Sequence, residues 1–109
     1  MIEQKIIGLS EHVSINGKEV LAKIDTGAER NSLDVRIAAE LGLGPIIGVK
    51  RYVNVHGKTL RPLVKVHLVI CGKKIHASFN LFDRKTLKYQ ALIGKKTLKK
   101  TGFLIDPRK

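Results

Sequence analysis

Alternation of apolar and polar positions dominates this chain. Val64, Val66, Leu68 and Ile70 share one face of an extended segment, and Lys65, His67 and Val69 fall on the other. Residues 5–9, 12–15 and 20–24 read as shorter strands. Asn16-Gly17 between the last two is a hairpin signal, because both residues tolerate positive φ. One stretch switches to helical spacing: Leu33, Ile37, Ala38 and Leu41 lie on one face, with Asn31 or Ser32 as a cap and Gly42 to close it. A glycine-rich joint covers residues 42–48. Val53 and Val55 then flank a turn at His56, Gly57 and Lys58, and a second turn over residues 71–74 leads into a strand over 75–82. Leu92-Ile93 reads as a short buried strand, residues 97–101 as a helical turn and 103–105 as a last strand. Many short strands, glycine turns and one or two short helices predict an all-β fold, a small closed or nearly closed β-barrel.

No linker, repeat or low-complexity run interrupts the pattern, so residues 1–109 read as a single domain with one modest core. No apolar run is long enough to span a membrane, and the first residues lack a signal-peptide pattern. Cys71 is the only cysteine, so an internal disulfide is excluded, which fits a reducing, cytoplasmic location. Charge is divided unevenly. Residues 1–49 carry five Lys/Arg and seven Asp/Glu, whereas residues 50–109 carry sixteen Lys/Arg against Asp83 and Asp106. The second half therefore attracts polyanions such as acidic peptides or nucleic acid.

The sharpest chemical feature is Ala22-Lys23-Ile24-Asp25-Thr26-Gly27-Ala28. An apolar strand delivers a carboxylate into a tight turn, where the Thr26 hydroxyl can lock the backbone and Gly27 permits a conformation other residues would strain. A second element, Ala91-Leu92-Ile93-Gly94-Lys95, is followed closely by a short helix.

Together these motifs resemble the pepsin-like proteases of retroviruses, in which an Asp-Thr-Gly-Ala turn is backed by a later apolar-apolar-Gly segment, a helix and a C-terminal strand. The order of blocks is more similar still to a prokaryotic branch of that family often labelled ATP-dependent zinc proteases. Its members tend to sit beside ATP-grasp ligases that add glutamates. Ile7-Gly8 with Glu11, Ser32-Leu33, Arg61-Pro62-Leu63-Val64, Asp83-Arg84 with Tyr89, and Phe103 to Pro107 carry that likeness. Glu29, Gln90 and Lys95 depart from it, standing where the branch has Arg, Pro and Arg.

The resemblance implies an aspartic endopeptidase with Asp25, Thr26 and Gly27 as catalytic residues. Such chemistry needs two carboxylates sharing one proton, and the chain holds one Asp-Thr-Gly, so a homodimer with one Asp25 per subunit is expected. Residues 51–63, with His56, Gly57 and Lys58 at the tip, are the candidate flap. Glu29 and Lys95 are expected to form a structural pair. Arg30, Arg61 and Arg84, with Tyr89, are the candidate substrate-binding residues, since arginine can grip a carboxylate bidentately. The expected substrate is a glutamate-rich or glutamylated chain, cleaved near neutral pH, with a possible functional link to a glutamate ligase. The zinc label finds no support: His12, His56, His67 and His76 lack metal-ligand spacing, and no cofactor is expected. A phosphate loop is also absent.

Two other classes compete. A basic β-barrel could bind nucleic acid without catalysis, although its Tyr and Phe residues form no stacking motif. A dimerisation domain could retain a relict site.

Overall fold

The computed structural model describes residues 4–109. In chain order the elements are strands β1 (Ile6–Ile7), β2 (Ser10–Ile15), β3 (Lys18–Ile24) and β4 (Asn31–Asp34), helix α1 (Val35–Leu41), strands β5 (Ile46–Asn54), β6 (Gly57–Ile70), β7 (Lys73–Phe82) and β8 (Ala91–Ile93), helix α2 (Lys95–Thr101) and strand β9 (Leu104–Ile105). Asn16 and Gly17 have φ of 46° and 90°, and Cys71 and Gly72 have 47° and 82°, so two-residue turns reverse the chain at both places.

Six strands close into a barrel in the order β2-β3-β8-β4-β7-β6, with β6 pairing back onto β2. The seventh, β5, pairs among the described residues only with β6 and forms the outer arm of a hairpin. A separate parallel pair joins β1 to β9. The alternating stripe of β6 explains closure: Val64, Val66, Leu68 and Ile70 are all buried, packing inward with Phe79 of β7, Ile15 of β2 and Ile93 of β8. Fully burying each such side chain contributes roughly 1.5–3 kcal/mol. The expected all-β barrel is what forms.

The helix begins later than its spacing predicts. Residues 31–34, read above as cap and first turn, are instead a wholly buried strand between β7 and β8. Sheet pairing on both edges satisfies their backbone, so α1 starts at Val35. Neither Asn31 nor Ser32 caps it. Asp34 holds the cap position in extended backbone, but its carboxylate is turned to Arg36 and to the Arg84 N–H. Gly42 closes the helix in left-handed conformation, as expected. The hairpin turn is also shifted: Val55 and His56 form it, Asn54 Oδ1 accepts the His56 N–H at 2.8 Å, and Gly57 already opens β6. β5 starts at Ile46, inside the predicted glycine-rich joint. Among the described residues no helix is long and apolar enough to cross a membrane.

Candidate active site

The end of β3 carries Asp25 out of the barrel wall. Its N–H donates to the Ile93 carbonyl at 3.0 Å, continuing the parallel β3–β8 pairing by one residue. The chain then turns: the Gly27 N–H donates to Asp25 Oδ1 at 2.9 Å, and the Ala28 N–H to the Asp25 carbonyl at 3.2 Å. These bonds lock the turn. Thr26 is exposed, and the bonds that fix the loop come from backbone N–H groups. The Asp25 side chain is 26% exposed, with Lys23 Nζ at 3.8 Å from Oδ2.

Behind the turn, Gly94 passes against its backbone. A Cβ at Gly94 would lie 2.5 Å from the Arg30 carbonyl oxygen and 2.9 Å from that of Ala28, so only glycine fits. The Lys95 N–H donates to the Ala28 carbonyl at 2.7 Å and the Lys96 N–H to that of Glu29 at 3.2 Å. Buried Asn31 joins the parts. Its Oδ1 accepts from the Gly94 N–H at 2.8 Å, and its Nδ2 donates to Thr97 Oγ1 at 2.7 Å and to the Ser78 carbonyl at 3.2 Å. Glu29 and Lys95 form a largely exposed ion pair at 3.2 Å, which holds the Glu29 carboxyl below its ordinary range.

Beside the turn lies a cavity of about 360 Å³ into which Arg30, Arg61 and Arg84 all project, from the turn, the hairpin and the loop after β7. Arg61 stacks between Phe82 and Tyr52, its guanidinium carbon 3.9 and 4.4 Å from the two ring centres. Arg84 is 8% exposed. Its Nε donates to the Tyr89 carbonyl at 2.9 Å, and burial, followed by the charge of Arg61, lowers its pKa while Asp34 and Asp25 oppose that shift. Tyr89 is not brought into this cavity. Its ring lies in a neighbouring hollow with Lys88, and its backbone carbonyl steadies Arg84.

The hairpin tip at His56, Gly57 and Lys58 is fully exposed; the hairpin residues that reach the cavity are Lys50, Tyr52 and Arg61. Sequence reasoning missed Lys50, Tyr52, Asn80 and Lys96 as lining residues, and read Ser32 only as a helix start. Among the described residues no three His, Cys, Asp or Glu side chains converge as a metal-ion site would need.

A closed barrel with a carboxylate turn braced by an Ile-Gly crossing has the architecture of an acid protease. A family model described as aspartyl protease matches residues 12–97, and the chain belongs to that family. In fold it is similar to the EIAV protease in complex with the inhibitor HBY-793, with a TM-score of 0.72 and 20% identity over 86% of this chain and 88% of that one. The simian foamy virus protease gives 0.64 and 18% identity, covering 83% of this chain and 91% of that one. A Legionella pneumophila protein of unknown function, Lpg0085, gives 0.68 and 19% identity over 98% and 96%. A comparison with curated proteins returns no match.

Proposed function

We propose that this chain is a subunit of a homodimeric aspartic peptidase that cleaves glutamate-rich chains, with Asp25 of each subunit supplying half of the catalytic pair. The observation that carries the reading is the juxtaposition of the accessible Asp25 turn with a cavity holding three arginines. A single carboxylate is insufficient for this chemistry. Across a twofold axis, two Asp25 side chains would share one proton, because adjacent negative charges are unfavourable. The ionised carboxylate takes a proton from a water held between them as the water oxygen attacks the peptide carbonyl carbon. The protonated partner gives its proton to the leaving nitrogen. The C–N bond breaks, the acyl side gains OH and the amine gains H.

Placement supports the following roles. Thr26, exposed at the turn, is available to meet a partner subunit, and Gly27 holds Asp25 Oδ1 through its N–H. The β5–β6 hairpin covers the substrate and excludes water, with His56, Gly57 and Lys58 as its leading edge. Arg30, Arg61 and Arg84 bind substrate carboxylates, and Tyr89 positions Arg84. Such a substrate is the product of a ligase that adds glutamates, which supports a functional link to an ATP-grasp enzyme. The test is cleavage of a poly-glutamate peptide near pH 7 by wild type and Asp25→Asn, with and without a chelator. Cleavage that persists with chelator and disappears in the variant is expected. Undiminished cleavage by Asp25→Asn would remove the mechanism.

A further inference from the structure

The cavity beside the Asp25 turn is over-supplied with positive charge for a single carboxylate. Arg30, Lys50, Arg61, Arg84 and Lys96 all line it, and among the described residues none of the five forms an ion pair. The one acidic residue on its wall, Glu29, is already engaged by Lys95. Three buried polar atoms without partners also belong to residues of this wall: Ser32 Oγ, Arg61 Nε and Asn80 Oδ1. Leaving such groups unmatched costs about 1–3 kcal/mol each, so this wall favours an occupant that supplies the missing partners.

The mixture of groups defines that ligand. Arg61 Nε is a donor, and the Ser32 hydroxyl can be one. Asn80 Nδ2 donates to Tyr52 Oη at 2.7 Å, which leaves the Tyr52 proton free to donate as well. Asn80 Oδ1 is the exception, an acceptor that asks for an N–H. The complement is therefore strongly anionic and carries one amide N–H. An interior residue of an extended glutamate chain supplies one carboxylate, because its neighbours point to the opposite face and the next on the same side is about 6.6 Å along. A chain-terminal glutamate supplies two carboxylates and an amide N–H from a single residue.

We propose that this cavity binds the free carboxyl end of a glutamate chain, taking both carboxylates of its last residue. The inference rests on the peptidase reading above only for its consequence: with Ala28 and Glu29 on the cavity wall, a chain end held here places a bond close to that end at Asp25, so the enzyme trims tails rather than cutting within them.

The experiment separates binding from cleavage. The Asp25→Asn protein is titrated calorimetrically with glutamate peptides of equal length ending in a free acid or an amide. Wild type is then given both peptides and the products are sized by mass spectrometry. At least about ten-fold tighter binding of the free acid is expected, corresponding to one charge-assisted hydrogen-bonded contact. Ser32→Ala and Asn80→Ala should shrink that ratio. Equal binding of the two peptides, or binding of neither, overturns the proposal. A retained free-acid preference with no cleavage by wild type would count against the peptidase reading alone. Cleavage spread evenly along both peptides would leave that reading standing and remove the terminal site.

Discussion

The side chain of Asn31 accepts the Gly94 N–H at 2.8 Å, across 63 positions of sequence, and both residues lie buried behind the Asp25 turn. Asn31 also holds Thr97 of α2 and the Ser78 carbonyl of β7, so one amide ties the turn, the crossing segment, the helix and the barrel wall. The Asp25 turn is therefore braced from behind, by buried groups.

Asn31→Leu leaves the Gly94 N–H and the Thr97 hydroxyl unmatched in the interior. A loss of about 2–4 kcal/mol in denaturant unfolding is expected. Gly94→Ala is expected to be as severe, since its Cβ meets backbone carbonyls that have no room to yield. Unchanged midpoints for both variants would show that the brace is dispensable.

If each subunit supplies one Asp25, mixing equal amounts of wild type and Asp25→Asn and allowing exchange should lower activity per total protein to about a quarter, not a half. A half would mean that each chain works alone.

Arg84 is a buried cation beside another cation, and its guanidinium is held below its ordinary pKa by burial and by Arg61. Replacing it by methionine removes the desolvation cost together with the bond to the Tyr89 carbonyl. Stability is expected to change by less than about 1 kcal/mol, while KM for a glutamate peptide rises at least about ten-fold. A large loss of stability with unchanged KM would make Arg84 structural.

Asp34 is held below its ordinary value of 3.8, first by its bond to Arg36 and then by the Arg84 N–H, against the opposing effect of burial. A depressed carboxylate stabilises the native state above the unfolded pKa, and that contribution is lost as pH falls through the lower native value. Asp34→Asn should therefore cost about 1–2 kcal/mol at pH near 7, and the gap to wild type should close below pH about 3.8. Urea midpoints at several pH values measure this; a gap independent of pH would exclude the linkage.

The barrel was legible because β6 and its neighbours bury one face only, so burial wrote a period of two into the sequence at Val64, Val66, Leu68 and Ile70. The Asp25 turn was legible because its chemistry is local, contained in a few consecutive residues. Residues 31–34 were misread because Leu33 shares helical spacing with Ile37, while pairing on both edges, which decides the matter, comes from residues about 50 positions away. The cavity was legible only in its arginines. Ser32 and Asn80 look like ordinary strand or cap residues until β4, β7 and the hairpin are brought together, because the polarity of a buried site is a property of the assembled wall.

Arg61 belongs to the hairpin yet rests on Phe82 of the barrel, and Tyr52 of the same hairpin is bonded to Asn80 of β7. Whatever engages Arg61 therefore also bears on the contacts that hold the hairpin against the barrel. Under the proposed lid role, occupancy and hairpin position would be one coupled equilibrium, so a ligand that grips Arg61 would spend part of its affinity on holding the hairpin in place.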